Sequence, residues 1–483
     1  MVVYSDSPKA IANQKAVMEY LLINHPLDCP VCDQAGECFL QDYSYQYGRG
    51  VSRFEEQKVK QPKKDLGPHV YLYSDRCIMC TRCVRFTREV SGTGELMVQG
   101  RGNKEEIDVF PGVPIDNELS GNVIDLCPVG ALLDKDFLFA QRVWFLKETP
   151  AIDPLTSSGD NITVHHNEGT IYRVKPRRNL AVNKWWISDE VRYGWKFVHS
   201  ENRLTQPLRK QYGTLVPTDH ARAYADILDA ARKALEGGKR VALMVSPTLA
   251  CEEAFTLARA VRQIDSKAHL ALGPVPVRGS DKIYPVGASE TDPRAFRVCA
   301  EKCPNSRGVR RVLQAFTEPS HVASYDLFLD LLGRGTGASQ VGVVILTGNF
   351  PTEWVTDELL SALSGKFVIA IDTLAGRILE KADIVIPGAT FAEKAGTFEN
   401  HKNMIQAFEQ AFAPKELARS EGQIGLDLSA AFAGTLSSAG LYNAANVRRE
   451  MASFSPALGV FQTQVHLPTL SVAQEPDMEV VEL

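Results

Sequence analysis

The sequence CIMCTRC over residues 77–83 places three cysteines two residues apart, and Cys127-Pro128 follows downstream. The tight C-x2-C-x2-C spacing is typical of loops that hold cubane iron–sulfur clusters, and a remote Cys-Pro supplies a further ligand in the same type of motif. Zinc sites more often use two separated C-x2-C pairs. The group Cys77, Cys80, Cys83 and Cys127 therefore predicts an iron–sulfur cluster.

A second cysteine-rich stretch lies upstream and reads HPLDCPVCDQAGECFLQ over residues 25–41. His25, Cys29, Cys32 and Cys38 supply one imidazole and three thiolates, which can close a shell of four ligands. Spacing alone fits a zinc site with three cysteines and one histidine as well as an iron–sulfur cluster. Two neighbouring redox clusters would form a path for electrons.

Composition sets the wider limits. The chain has 483 residues, which suggests about three domains. Its 53 basic and 58 acidic residues give a net charge of −5, which argues against a nucleic-acid-coating protein. Seven of the ten cysteines lie between Cys29 and Cys127, a clustering that favours metal or redox chemistry over disulfides in a reducing compartment. We find no membrane-spanning run and no signal peptide, so we expect a cytoplasmic location.

Beyond the cysteine motifs, the predicted secondary structure changes twice along the chain. Short strands at 161–165, 170–174 and 183–187 predict a small β-rich module. Beyond residue 218, helices (220–235, 251–262 and 353–363) alternate with strands (240–246, 341–347 and 367–372). This alternation predicts an open parallel sheet covered by helices. The residues from Leu441 onward lack periodicity and are interpreted as a surface tail.

The cysteine motifs resemble those of the large iron–sulfur subunit family of NADH:quinone oxidoreductase, which comprises the G subunit of bacterial complex I and the 75-kDa subunit of mitochondria. The resemblance rests on residues 25–41, on CIMCTRCVRF at 77–86 and on GNVIDLCPVGAL at 121–132. It implies two 4Fe–4S clusters. One would be held by His25, Cys29, Cys32 and Cys38, and the other by Cys77, Cys80, Cys83 and Cys127.

The region that follows resembles a molybdopterin oxidoreductase at residues 143–193 and 367–408, including ADIVIP at 382–387 and EKAGTFEN at 393–400. The implied fold is α/β and multidomain, with small cluster-binding modules, a β-rich module and a degenerate molybdopterin-oxidoreductase-like domain. The expected boundaries are 1–60 for the module with one histidine and three cysteines, 61–140 for the four-cysteine module, 141–205 for the β module without a cluster, 206–440 for the α/β domain and 441–483 for the tail.

Three departures from the family pattern modify this expectation. Some members hold an extra cluster in the β-rich module, and the corresponding positions here are Asp153, Thr156, Asp160 and Ser188, none of which is a thiol. The family begins with a ferredoxin domain that holds a 2Fe–2S cluster, and its cysteines are absent from this sequence. The α/β part is shorter than in molybdenum enzymes, so no molybdopterin is expected.

The resemblance implies an electron-transfer subunit that is not catalytic alone. Electrons from NADH- and flavin-binding subunits would pass through the two clusters towards quinone-side iron–sulfur subunits, with indirect association to the inner face of the cell membrane and no nucleic-acid partner. One alternative is a subunit of an NAD-linked formate dehydrogenase or related molybdenum enzyme. Others are a hydrogenase diaphorase subunit and a zinc-stabilised interaction protein.

Several other motifs are assigned no cofactor. Cys251, Cys299 and Cys303 are interpreted as structural thiols, and the adjacent His165 and His166 as residues on opposite sides of a strand. The glycine run at 333–337 lacks the form of a nucleotide-binding loop. Three arginines beside the second cysteine group either offset the charge of its cluster or form a solvated face; they are Arg82, Arg85 and Arg88.

Overall fold

Short elements around one small core form the N-terminal part of this computed structural model, which describes residues 3–318, 321–333, 340–438 and 440–468. Its helices are α1 (Pro8–Leu22), α2 (Phe39–Tyr47), α3 (Arg82–Glu89) and α4 (Asn122–Leu126). Its strands are β1 (Lys63–Asp65), β2 (Val70–Tyr73), β3 (Leu96–Gln99), β4 (Glu106–Val109) and β5 (Leu132–Asp134). β1, β2 and β5 form an antiparallel sheet, and β3 pairs with β4. Cys38 and Cys83 belong to the same apolar core, so both cysteine groups are built on it.

The β-rich module is an antiparallel sheet of β6 (Lys147–Ile152), β7 (Asn161–Asn167) and β8 (Thr170–Pro176), followed by α5 (Asp189–Tyr193). Strands at 161–165 and 170–174 are confirmed. The strand expected at 183–187 is wrong, because the Asn183 amide donates to the carbonyls of Asn161, Arg177 and Trp186 and holds this segment as a turn. The third strand of this sheet is β6 instead. Pro150 is tolerated in β6 because β6 lies at the edge of the sheet.

A seven-stranded sheet carries the second half of the described chain. The strands of this half are β9 (Leu208–Gln211), β10 (Thr214–Pro217), β11 (Arg240–Val245), β12 (His269–Leu272), β13 (Lys282–Tyr284), β14 (Phe296–Val298), β15 (Val341–Thr347), β16 (Phe367–Asp372), β17 (Ile384–Pro387), β18 (Gly396–Glu399) and β19 (Ile405–Phe408). The order in the large sheet is β10-β9-β17-β16-β15-β11-β12. Its parallel strands are apolar along most of their length, as is typical of strands covered on both faces.

Helices cover both faces of this sheet and enclose a core on each. They are α6 (His220–Glu236), α7 (Cys251–Ile264), α8 (Ser306–Gln314), α9 (Tyr325–Leu331), α10 (Asp357–Ala362), α11 (Glu421–Phe432), α12 (Ala444–Phe454) and α13 (Val460–Thr463). The predicted strands at 341–347 and 367–372 are confirmed. The helix predicted at 353–363 is shorter, because Thr356 caps it by accepting from the Leu359 N–H.

The C-terminal segment differs from its prediction. The sequence predicts a surface tail from Leu441, yet α12 and α13 bury Val447, Met451 and Phe461 in the core of the α/β part. Residues 469–483 lie outside the described part, as do residues 334–337 of the glycine run. In the described part of the chain, no helix is both long and apolar enough to cross a bilayer.

Candidate metal centres

The four cysteines of the second group line one cavity. The cavity itself has a volume of about 20 Å³ and opens toward solvent. Cys77 and Cys80 lie on the loop before α3, Cys83 lies in its first turn and Cys127 directly follows α4. The other walls are mostly apolar and comprise Leu72, Ile78, Thr81, Arg82, Ile107, Pro128, Val129, Ala131 and Leu132.

Backbone conformation explains how one short loop turns several sulfurs toward the same cavity. Met79 and Thr81 adopt left-handed backbone conformations, with φ of 53° and 59°. Each such residue costs about 1–2 kcal/mol when it is not glycine, so the loop is held by its surroundings. The Met79 N–H donates to the Cys77 sulfur at 3.4 Å.

Burial and backbone donors define the environment of these thiols. Burial, with smaller contributions from neighbouring thiols, raises the pKa of Cys77 to about 11 and that of Cys83 to about 12. Burial also raises the pKa of Cys127, and the nearby backbone N–H groups of Leu132, Val129 and Ala131 partly oppose that rise. Coordination to iron removes the thiol proton, and hydrogen bonds to the sulfurs then set the potential of a cluster.

The first group surrounds a turn at the surface. Cys29 is exposed, whereas Cys32 and Cys38 are buried. Burial raises the pKa of the Cys32 thiol, and nearby Cys29 raises it less strongly. The same two causes raise the pKa of the Cys38 thiol. Burial and then the charge of Arg76 lower the pKa of His25, which favours the neutral imidazole that metals bind.

The chemistry of the second cysteine group suits an iron–sulfur cluster, since its four thiols line one largely apolar cavity. In the described ranges, no group of three or more His, Cys, Asp or Glu side chains converges tightly enough to hold one metal ion. A cubane cluster spreads its four protein ligands over four iron atoms. Thiols that line an apolar cavity, with backbone N–H groups near the sulfurs, suit such a group.

One buried arginine joins the two groups. Arg76 directly precedes Cys77, and its guanidinium donates to the carboxylate of Asp28, which directly precedes Cys29, at 2.7 and 3.0 Å. The Arg76 side chain is only 2% exposed. Its remaining nitrogen lies 3.4 Å from the Gly130 carbonyl oxygen. The two loops therefore share an ion pair beside their cysteines.

Backbone contacts bring the loops together at a second point. The Phe39 N–H, next to Cys38, donates to the carbonyl of Pro128, next to Cys127, at 3.1 Å. A Cβ atom at Gly130 would overlap the Cys32 sulfur, so only glycine permits this approach.

The β-rich module clamps the first loop. Arg173 and Lys175 on β8 pair with Glu37, directly before Cys38, at 2.8 and 3.0 Å. Arg142 donates to the carbonyl oxygens of Cys29 and Cys32 at 2.9 and 3.0 Å. These supports were not predicted from the sequence. The only local signal was that Glu37 and Arg76 each adjoin a cysteine.

The four positions at which some members of the similar family hold an extra cluster are buried and hydrogen-bonded in this chain. Asp153 accepts from the hydroxyl of Thr156 and from two backbone N–H groups. Burial raises the pKa of Asp153 to about 7 and raises that of Asp160 well above its usual range. Ser188 caps α5 through the Val191 N–H. These side chains make structural contacts within the module.

The remaining candidates lie apart from the cysteine groups. Cys251 packs 3.3 Å from the Asn305 amide, and Cys303 contacts Glu301. Cys299 is also buried. Both His165 and His166 are buried, and the strand register shifts between them, so they do not follow the simple alternation expected.

Family models match four segments of the chain. They describe the NADH-ubiquinone oxidoreductase-G iron-sulfur binding region (14–53), the NADH-quinone oxidoreductase subunit 3 ferredoxin-like domain (67–133), the NADH-ubiquinone oxidoreductase NDSU1/NuoG-like 4Fe-4S domain (146–196) and molybdopterin oxidoreductase (331–431). Segment 146–196 contains no cysteine. The predicted fold class, with ferredoxin-like modules and a molybdopterin-oxidoreductase-like α/β domain, is confirmed.

Individual relatives agree with these models. The G subunit of NADH-quinone oxidoreductase from Rickettsia prowazekii is 37% identical over 266 residues, covering 55% of this chain and 39% of the relative. The mitochondrial 78 kDa subunit of NADH-ubiquinone oxidoreductase from Neurospora crassa is 45% identical over 232 residues, covering 48% and 31%. The chain thus spans less than half the length of these relatives. Acetylene hydratase from Pelobacter acetylenicus aligns with a TM-score of 0.41 at 10% identity over 60% of this chain and 70% of that one.

Proposed function

We propose that this chain, a relative of the G subunits of NADH-quinone oxidoreductase, relays electrons between other subunits of such a complex. Electrons would arrive from the NADH- and flavin-binding side and leave towards quinone-side iron–sulfur subunits. Association with the membrane would be indirect, through the complex. The chain would contribute to an oxidoreductase without being catalytic alone.

The proposed ligands are two sets of four. One 4Fe–4S cluster would be bound by His25, Cys29, Cys32 and Cys38, and the other by Cys77, Cys80, Cys83 and Cys127. Bound clusters supply reversible one-electron chemistry. The chain's own residues would bind the iron, exclude water through the apolar core and donate an N–H hydrogen bond to the Cys77 sulfur.

The single observation that carries the proposal is the direct contact between the two cysteine loops. Arg76 bonds to Asp28, and the Phe39 N–H bonds to the Pro128 carbonyl. All four residues adjoin proposed ligands. Because electron tunnelling falls steeply with distance, two clusters held on touching loops are placed for rapid exchange.

The wider organisation belongs to the same proposal. Residues 1–60 and 61–140 would be the cluster modules, 141–205 a β module without a cluster and 206–440 a scaffold without molybdopterin. No 2Fe–2S cluster is assigned to these residues, and no nucleic acid is expected as a partner. The scaffold would serve contacts with other subunits.

Elemental analysis tests this proposal. After anaerobic purification and reconstitution, we expect about eight iron and eight sulfide per chain, without molybdenum. Electron paramagnetic resonance of the dithionite-reduced protein should show two interacting cubane signals. Zinc without sulfide would overturn the relay and leave a structural protein. Molybdenum would instead support an enzyme related to formate dehydrogenase.

A further inference from the structure

One arginine from outside the first cysteine loop bonds to the backbone of two proposed ligands at once. Nη2 of Arg142 donates to the Cys29 carbonyl at 2.9 Å, and Nη1 donates to the Cys32 carbonyl at 3.0 Å. A guanidinium is a rigid, planar fork of donors, whereas a lysine ammonium is a single point charge. The fork therefore fixes Arg142 against this turn at two points.

The chain around Arg142 packs directly against the first loop. The guanidinium lies over the Trp144 ring, 4.6 Å from its centroid. A Cβ atom at Gly36 would lie 2.7 Å from the Val143 side chain, and the φ of Gly36 is 94°, so glycine is required at this contact. These contacts hold the arginine beside the cysteines.

Charge pairing distinguishes Arg142 from the other cations that bond to residues 28–38. Arg76 is paired with Asp28, and two cations of β8 share Glu37. Among the residues that the structure describes, no salt bridge involves Arg142, and its terminal nitrogens donate to carbonyl oxygens instead. Its positive charge is therefore not neutralised by a carboxylate in direct contact.

Support of the turn alone does not account for a charged donor at this place. A neutral amide or a water molecule would also satisfy the two carbonyl groups. An unpaired cation has a further effect, because it stabilises negative charge that forms nearby. One-electron reduction adds one negative charge to a cluster bound at these sulfurs, and local charge is one of the factors that set a cluster potential.

We propose that Arg142 is a positioning residue that raises the reduction potential of the cluster of the first group through the Cys29 and Cys32 carbonyls. The inference rests on the proposed function, since it concerns a cluster bound by His25, Cys29, Cys32 and Cys38. In the described ranges, no hydrogen bond or ion pair joins Arg142 to the second group. The potential of one cluster can thus be set without a change in the other.

Redox titration of the reconstituted full chain, followed by electron paramagnetic resonance, tests the proposal. Arg142→Met should lower the midpoint potential of the first group's cluster by at least about 59 mV, which is a tenfold change in its one-electron reduction equilibrium. The potential of the other cluster should stay unchanged. Arg142→Gln, which keeps a neutral donor, should shift the potential in the same direction. Arg142→Lys keeps the charge and should retain most of the wild-type potential.

A matched control separates this position from overall charge. Arg178 is an exposed arginine just after β8, and it also lies over a tryptophan ring, that of Trp185 at 5.5 Å. Arg178→Met should leave both potentials at their wild-type values. An equal shift in this control would overturn the proposal, and so would a wild-type potential in Arg142→Gln.

Iron and sulfide content separates the possible failures. A wild-type chain that assembles no cluster would contradict the proposed function itself. Clusters that assemble in both the wild type and Arg142→Gln, with identical potentials, would contradict only the role of Arg142. Loss of the first group's cluster in both Arg142→Gln and Arg142→Lys would show that the arginine only supports the turn, which would also overturn the proposal.

Discussion

Arg76 stands at the centre of the proposed relay although it is not a ligand. It is almost fully buried, pairs with Asp28 and stacks over the ring of Tyr73 at 4.1 Å. The positive charge also lies near Cys32 and His25: it opposes the rise that burial causes in the pKa of Cys32 and adds to the fall that burial causes in the pKa of His25. One side chain therefore couples the geometry and the electrostatics of the two groups.

Removing this guanidinium should loosen both loops. We expect Arg76→Met to lower the free energy of unfolding by about 1–3 kcal/mol, because Asp28 loses its charged partner and the Gly130 carbonyl loses its donor. Denaturant unfolding with parallel iron analysis provides the measurement. Arg53→Met removes the exposed partner of Glu19 and should change neither quantity. Equal effects of the two variants would remove the special role of Arg76.

Ligand substitution should distinguish the two centres. Cys80→Ser should abolish the cluster of the second group and retain the other, so iron per chain should fall by about half. Cys251→Ala, in the buried core of the α/β part, should retain both clusters. Loss of both clusters in Cys80→Ser would show that the two loops assemble as a single unit.

The imidazole at the first group should raise the potential of its cluster. His25→Cys should keep a cluster but shift its midpoint potential to a lower value, because a thiolate donates more negative charge than an imidazole. Redox titration followed by electron paramagnetic resonance measures the shift. An unchanged potential would remove His25 from the proposed ligands.

At the scale of elements, a buried triad of ionisable side chains joins α7 and α11 in the α/β part. Lys394 lies 2.9 Å from Glu253 and 2.7 Å from Glu421, and all three are buried. Burial and, less strongly, Glu253 raise the pKa of Glu421 to about 8, although Lys394 opposes this. The folded protein thus holds a proton on this carboxyl group that the unfolded chain releases above its ordinary pKa of 4.5.

This triad should make stability depend on pH. Between the unfolded pKa of 4.5 and the folded pKa of about 8, the native state binds more protons, so its contribution to stability declines as pH rises. Glu421→Gln should flatten that decline between about pH 5 and about pH 8, as measured by urea unfolding at several pH values. A slope identical to that of the wild type would contradict the raised pKa.

The elements also show how far sequence could predict this fold. Strands at 341–347 and 367–372 were predictable because an uninterrupted apolar run needs cover on both faces. The turn at 183–187 was not predictable, because it depends on hydrogen bonds from the Asn183 amide to three backbone carbonyl groups. The eight proposed ligands were predicted from the local spacing of their residues. Arg142 and Arg173 contact the first loop from more than 100 residues away in sequence, which no local pattern reveals.

At the scale of the whole molecule, the C-terminal helices complete the core of the α/β part. Met451 is fully buried on α12, and Phe461 on α13. Ala444, Val447 and Met451 on α12 recur at helical spacing, so the prediction of a tail overlooked a pattern that the sequence does contain. Both helices are far along the sequence from the eight proposed ligands.

Damage to this core should spare the clusters. Met451→Ala should reduce the free energy of unfolding by about 2–5 kcal/mol through a buried cavity, with unchanged cluster potentials. Thermal unfolding and redox titration together test both statements. Ser453→Ala, at an exposed position of the same helix, should alter neither. A shifted cluster potential in Met451→Ala would show that the two parts are coupled.

The clamps on the first cysteine loop have a consequence for biosynthesis. Arg142 lies 113 residues after Cys29, and Arg173 lies 136 residues after Glu37. A ribosome releases the N-terminal segment first, so these cysteines emerge well before the side chains that fix their loop exist. We therefore expect iron delivery to the first loop to wait until the β-rich module has been synthesised and has folded against it.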